Sequence, residues 1–247
     1  MNPSTYSSIH SADSKRFSLL SLDDWQNGVV LPVNKLSEWT SFDVIRKLKP
    51  HLPVKKIGHA GTLDPLATGV LVCCVGRATK LISTFQDQLK VYRATFTFGE
   101  TTPSLDRATP VSETLSWNPI PKSELKTVIE SQFVGIIHQI PPMYSAVKKD
   151  GKRLYQYARK GEEIERQPRE AYIESCEILQ YSGEQCTLEI VCGKGTYIRT
   201  YVDDLAKAVG SLGVVDELQR TKSGPYHIDN AWDVHKLCNA LQERLTA

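Results

Sequence analysis

No apolar run in the 247-residue sequence exceeds the six residues at 70–75, far short of a membrane-spanning helix. The N-terminus also lacks the apolar core of a secretory signal. Cysteine is sparse: Cys73, Cys74, Cys176, Cys186, Cys192 and Cys238 form no Cys-x-x-Cys pair, and no histidine follows Cys186 or Cys192 at zinc-ligand spacing. His-x-x-x-His and His-Glu-x-x-His spacings are missing too, so no metal is expected and most of the thiols read as small apolar core residues. Neither Gly-x-x-x-x-Gly-Lys-Ser/Thr nor Gly-x-Gly-x-x-Gly occurs, and no cofactor is expected. Charge of one sign is lacking as well: 30 Lys and Arg oppose 28 Asp and Glu, and a net +2 does not by itself signal a polyanion partner. A soluble, reducing, cytoplasmic setting follows by default.

What is present is enough for a sizeable core, with 40% hydrophobic and 8% aromatic residues. Residues 1–24 hold seven serines and no apolar periodicity, which predicts a disordered extension. Order is expected from Trp25, in one domain over 25–247. Thr40 and Ser41 precede a helical pattern through Phe42, Ile45 and Leu48 that stops at Pro50. Residues 91–98 alternate, with Tyr92, Ala94, Phe96 and Phe98 on one face, and residues 186–192 repeat the device. From Thr196 the period turns helical through Ile198, Tyr201, Val202, Leu205 and Val209. Strands and helices interleave without a regular βαβ rhythm, so the fold class is α/β of the α+β kind, a mixed sheet flanked by helices.

The densest cluster of chemistry is the glycine-punctuated loop 58–69. Its glycines permit positive φ or close backbone approach. Pro65 restrains Asp64 towards an extended conformation, and an acid among Leu63, Leu66 and Val70 needs a partner to stay ionised. A plain turn capped by Asp64 is the competing reading of the loop alone. Arg199 falls in the first turn of the helix that follows Gly193 and Gly195, where the helix dipole disfavours a cation unless an anion lies opposite. A surface arginine is its competing reading.

Charge is also segregated along the chain. Residues 46–56 carry five Lys and Arg and no acid; residues 148–160 carry Lys148, Lys149, Lys152, Arg153, Arg159 and Lys160 against Asp150, interleaved with Tyr155 and Tyr157. Each segment is +5 and the rest of the chain −8, a polarity that suits an RNA-facing surface. A solvated helix face competes with that reading for the first segment.

The run His59-Ala60-Gly61-Thr62-Leu63-Asp64-Pro65-Leu66-Ala67-Thr68-Gly69 resembles the signature of the TruB family of tRNA pseudouridine synthases. Further blocks resemble the family in order: Tyr92-Arg93; Gln139-Ile140-Pro141-Pro142-Met143-Tyr144-Ser145-Ala146; Leu154-Tyr155-Gln156-Tyr157-Ala158-Arg159; Lys194-Gly195-Thr196-Tyr197-Ile198-Arg199; and Leu218-Gln219-Arg220-Thr221. The resemblance spans residues 28 to 226. It implies a pseudouridine synthase fold with a mainly antiparallel central sheet, and conversion of a T-loop uridine of tRNA, position 55 in tRNA numbering, to pseudouridine. This isomerisation needs no redox change, in keeping with the missing cofactor motifs. The resemblance further implies Asp64 as nucleophile, Arg199 as its partner, and Tyr92 as the residue stacked on uracil and available for a late proton transfer. A core tyrosine is the competing reading of Tyr92. Tyr197 and Leu218 would wall the base, and His59 would help hold the flipped-out loop. An RNA-gripping insertion is implied near 135–170, with Lys148, Lys149, Lys152, Arg153 and Arg159 on the phosphates, and Lys35 is retained from an RNA-contacting block. The partner is the tRNA T-arm stem-loop, met by a monomer with no membrane or metal.

Some positions depart from the family. Its Asp-Lys-Pro-x-Gly-x-Thr-Ser block reads Asn34-Lys35-Leu36-Ser37-Glu38-Trp39-Thr40-Ser41 here, with Glu38 at the flexible glycine position. Pro103 stands where an acid is common, while Asp106 is kept. Little sequence follows Trp232, so no C-terminal RNA-binding PUA domain is expected. Two other functions fit the same residues: an RNA N-glycosidase that cleaves without rejoining, and a non-catalytic RNA chaperone.

Overall fold

The computed structural model describes residues 10–11 and 20–246, with side chains from 20 to 243. Most of the extension expected to be disordered lies outside the described residues. What is described of it is built structure: β1 (His10–Ser11) pairs in parallel with Val29 and Val30, and Leu20 is buried. Order therefore begins before Trp25. Helix α1 (Leu22–Asn27) starts at Ser21, whose hydroxyl accepts from the Asp24 amide while the Asp24 carboxylate accepts from the Ser21 amide. This reciprocal cap satisfies donors that the first turn leaves open.

Strand β2 (Val29–Lys35) leads to α2 (Ser41–Leu48), capped by Thr40 and Asp43 in the same reciprocal way. Its buried face is Val44, Ile45 and Leu48; Phe42, expected on that face, is 67% exposed, because it lies in the first turn beyond the buried stripe. Strands β3 (Ile57–His59) and β4 (Thr68–Val75) flank the glycine loop. A 3-10 segment, Gly76–Leu81, and α3 (Ile82–Asp87) complete this stretch. Next come β5 (Lys90–Phe98), β6 (Glu100–Thr101), β7 (Glu113–Thr114), α4 (Lys122–Gln132) and β8 (Gly135–Gln139). The basic segment forms β9 (Lys148–Lys149), β10 (Lys152–Arg153) and α5 (Leu154–Ala158). Strands β11 (Arg169–Tyr181) and β12 (Gln185–Cys192) precede α6 (Ile198–Ala208). The chain closes with β13 (Gly213–Ser223), β14 (Tyr226–His227), β15 (Trp232–Asp233) and α7 (Val234–Thr246).

Where one domain was expected, the chain divides into two compact units, residues 1–90 with 219–247 and residues 91–218. In the first, β4 is central. It pairs antiparallel with β2 along one edge, from Val29 opposite Val75 to Lys35 opposite Gly69. Its other edge is shared, with β3 beside Cys73–Val75 and β13 in parallel beside Thr68 and Gly69. The glycine loop emerges where that edge passes from one partner to the other. Val30, Ala60, Val70, Val72, Cys74 and Ala78 form a core cluster of this unit.

In the second unit the strand order runs β5-β12-β11-β8, with antiparallel ladders on both edges of β11. The alternation of 91–98 holds: Ala94, Phe96 and Phe98 are buried, and Tyr92 is half-buried against the same core. Helix α6 buries Ile198, Tyr201, Val202 and Leu205, and Tyr201 meets Phe133 edge-on at 5.4 Å between ring centroids. Such a buried aromatic pair adds about 0.5–1.5 kcal/mol beyond its area. The fold is thus a large mixed, mostly antiparallel sheet flanked by helices, of the class that the sequence indicates.

Candidate active site

In the first unit the loop that carries Asp64 is tied down by groups from four segments. The Ser41 hydroxyl, at the start of α2, accepts from the Leu63 amide at 2.8 Å, and the Asn34 side chain accepts from the Gly69 amide at 3.2 Å. The Ala60 amide donates to Val72 at 2.8 Å, and the Ala67 amide closes a turn on the Asp64 carbonyl at 3.1 Å. Pinning the backbone on both sides of Asp64 fixes where its half-buried carboxylate points.

Two buried cations complete the support. Lys35, expected on RNA, is instead fully buried, and its ammonium donates to the carbonyls of Leu36 at 2.8 Å, Trp39 at 2.5 Å and Pro65 at 2.9 Å. An ammonium has three donors, so all are used internally and the RNA-contact role is corrected. Burial pulls this group down to about 8; the charge of Asp64 works against that shift and Arg220 works with it. Arg220, which sequence reasoning passed over, is 1% exposed; its Nε donates to the Val70 carbonyl at 2.7 Å and its Nη2 to the Gly61 carbonyl at 3.1 Å. One guanidinium therefore joins the two ends of the loop. Gly69, at φ +104°, makes this possible: a Cβ there would sit 2.3 Å from the Arg220 carbonyl oxygen. His59 is half-buried at the loop entrance, and burial, then the charge of Arg220, lowers its pKa and favours the neutral ring.

The block of departures from the family pattern bears on the same support. Glu38 sits at φ +67°, the left-handed backbone that a glycine takes without penalty. The chain keeps the turn although the residue type disfavours it.

In the second unit Arg199 is buried at 3% exposure in the first turn of α6. Its Nη1 donates to Ser104 O at 2.7 Å, its Nη2 to Tyr144 O at 2.9 Å, and its Nε lies 3.6 Å from Asp106 Oδ2. Asp106 is itself held by the Ser104 hydroxyl at 2.6 Å and the Ala108 amide at 3.0 Å. Within this unit Asp106 is thus an anion that offsets the unfavourable end of the helix dipole. Tyr197, the N-cap residue of α6, is locked by a reciprocal pair: its amide donates to Gln139 Oε1 at 3.0 Å, and Gln139 Nε2 donates back to its carbonyl at 3.1 Å. Tyr92 and Leu218 lie partly buried against this unit's apolar core.

The basic segment builds a hairpin. Asp150 (φ +51°) and Gly151 (φ +78°) turn the chain, setting Lys149 opposite Lys152 and Lys148 opposite Arg153. Asp-Gly is a strong signal for such a turn and could have been read in advance. All four cations are exposed. The tyrosines serve as platforms for them, with Arg159 5.4 Å from the Tyr155 ring centroid and Lys152 6.0 Å from that of Tyr157.

Among the described residues no group of His, Cys, Asp or Glu is arranged to hold a metal. Five of the six cysteines are buried, and burial pushes the Cys74 and Cys186 thiols up to about 12, so they are apolar filler at neutral pH. Among the described residues no helix is long and apolar enough to cross a membrane.

The chain as a whole is similar to known proteins. Residues 49–198 match the family model of the TruB pseudouridylate synthase N-terminal domain, and residues 199–246 match the tRNA pseudouridylate synthase B C-terminal domain. The tRNA pseudouridine synthase B of Flavobacterium johnsoniae is 43% identical over 227 residues, 89% of this chain and 99% of that protein. That of Parabacteroides distasonis is 42% identical, over 90% of this chain and 97% of the relative. Among solved structures, a chain of a Cbf5-Nop10-Gar1 complex superimposes with a TM-score of 0.69 at 26% identity, over 89% of this chain and 56% of that one. On these matches the chain belongs to the TruB family of pseudouridylate synthases.

Proposed function

We propose that the chain is a tRNA pseudouridine synthase that converts a T-loop uridine, position 55 in tRNA numbering, to pseudouridine. The observation that carries this reading is the pinned loop presenting Asp64, in a chain of the TruB family. The reaction breaks the C1′–N1 bond, turns the uracil and forms C1′–C5; N1 gains a proton and C5 loses one. No atom enters or leaves overall, so one nucleophile suffices where a glycosidase needs two carboxylates.

Asp64 acts as the nucleophile, and its fixed backbone gives it direction without reorganisation during the reaction. Arg199 is assigned as the cation that keeps Asp64 ionised and aimed, a role supported by the family resemblance. Tyr92 stacks on the uracil and takes part in the late proton transfer from C5. Tyr197 and Leu218 wall the base, and His59 helps hold the extruded nucleotide, whose unstacking costs a few kcal/mol. Lys148, Lys149, Lys152, Arg153 and Arg159 grip phosphates of the T-arm. The enzyme works in the cytoplasm as a monomer.

The test is incubation with a T-arm stem-loop transcript followed by chemical mapping of pseudouridine. Wild type yields a product of unchanged mass, whereas release of free uracil would indicate a glycosidase. Asp64→Asn abolishes turnover and leaves tRNA affinity nearly intact; turnover at the wild-type rate would overturn the Asp64 assignment.

A further inference from the structure

The basic segment 46–56, ambiguous in sequence, separates in the structure into two surfaces of the first unit. Arg46, on α2, pairs with Asp43 at 2.8 Å, and the groove beside it also takes in Glu38, so its charge is compensated. Lys55 and Lys56 lie elsewhere. They line a shallow groove with Val54, Gln26, Arg77 and Lys80, four cations and no carboxylate. Among the described residues none of these four cations has an acid within ion-pair distance; Arg77 instead donates to the Asn27 side chain at 3.3 Å.

The groove is built by the fold. The Gly76 amide donates to the Lys56 carbonyl at 2.8 Å, which sets the residues before β3 beside the 3-10 segment after β4. Gly76 takes φ +61°, and a Cβ there would lie 2.2 Å from the Trp25 carbonyl oxygen. Only glycine lets these segments and α1 converge. Four like charges in one place repel one another, and among the described residues no carboxylate lines the groove to offset that cost. The ligand that repays it is a polyanion with several charges at close spacing. Lys55–Lys56 meet β4 at its Val75 end, while the Asp64 loop enters β4 at Thr68. Seven strand steps at about 3.3 Å separate the two by roughly 23 Å.

Building on the tRNA substrate proposed above, we propose that Lys55, Lys56, Arg77 and Lys80 form a second phosphate-backbone site, which holds the substrate tRNA away from the reacting uridine. The groove adds affinity and leaves the chemical step alone.

The experiment replaces all four with glutamine and measures tRNA binding against salt, together with single-turnover rates at saturating enzyme. The dissociation constant for full-length tRNA is expected to rise at least tenfold at physiological salt. The slope of log affinity against log salt should shrink by about 3, since each neutralised phosphate contributes roughly 0.7–0.9. The single-turnover rate should stay within twofold. Arg46→Gln with Lys47→Gln, on the compensated surface, should leave affinity within twofold. The proposal is overturned by an unchanged slope and affinity in the four-site variant. It is equally overturned if tRNA binding is untouched while binding of polyglutamate, as a probe for an acidic protein partner, is lost. If wild type forms no pseudouridine yet loses tRNA affinity with these cations, the activity reading fails and the groove stands.

Discussion

The loop that presents Asp64 is bonded at Gly61, Leu63, Pro65, Gly69 and Val70 by side chains of Asn34, Lys35, Ser41 and Arg220. The hairpin that carries Lys148, Lys149, Lys152 and Arg153 is two residues deep on each strand, with its cations exposed. It leans on Tyr157, which donates to the Lys149 carbonyl at 3.3 Å, and on Lys149 donating to Glu165 O at 3.0 Å. Both regions depend on positive charge, but they use it differently. Around the loop, Lys35 and Arg220 are buried and spend donors on backbone carbonyls, which gives geometry. In the hairpin the cations face water, where they can trade hydration for phosphate. A nucleophile needs placement to within a fraction of an ångström, and a phosphate grip needs field and compliance.

The strongest way to break the contrast is at Arg220. Arg220→Met leaves the Gly61 and Val70 carbonyls without their donor, at a cost of about 2–4 kcal/mol in unfolding free energy. It should lower kcat about 10–100-fold with KM changed by less than about threefold, as expected for displaced geometry. Arg220→Lys, which restores charge and part of the bonding, should recover a measurable share of kcat. Stopped-assay kinetics with denaturant titration read all three effects, and a change confined to KM would remove Arg220 from the positioning of the loop.

Neutralising Lys148, Lys149, Lys152 and Arg153 together should do the opposite. Affinity for the T-arm stem-loop falls about tenfold or more and its salt slope shrinks by about 3, while stability moves by less than about 0.5 kcal/mol. An unchanged salt slope would make the hairpin a solvated surface.

The smallest effect sharpens the account of the loop's foundation. Glu38→Gly relieves a left-handed backbone and should stabilise the protein by about 0.5–1 kcal/mol, read as a higher denaturation midpoint. A loss of stability would mean that the glutamate side chain contributes more than its backbone costs.

Much of this was legible beforehand. The period-two stretches at 91–98 and 186–192 are strands, and the stripe from Ile198 to Leu205 is the buried face of α6. Local patterns of this kind report burial directly, because each side chain's face follows from its position in the repeat. The Asp64 loop was also visible, through its glycines and the restrained Pro65. Less legible were the residues whose role depends on distant backbone. Lys35 read as an RNA contact because its block resembles the family's. Its burial follows from carbonyls at Trp39 and Pro65, and the second of these lies 30 residues away. Arg220 and Asp106 stood at positions that resemble the family's, yet nothing in the neighbouring residues marked either as an interior support.

The sequence by itself determined the family, the order of strands and helices and the segregation of charge, since each is written in residue order and periodicity. Tertiary structure alone decided which cations are interior supports and which face solvent. It also split the 46–56 run into a compensated surface and an uncompensated groove. The reason is physical: whether a charged group is buried or hydrated depends on the carbonyls and carboxylates brought to it by segments far along the chain, and no local pattern encodes that meeting.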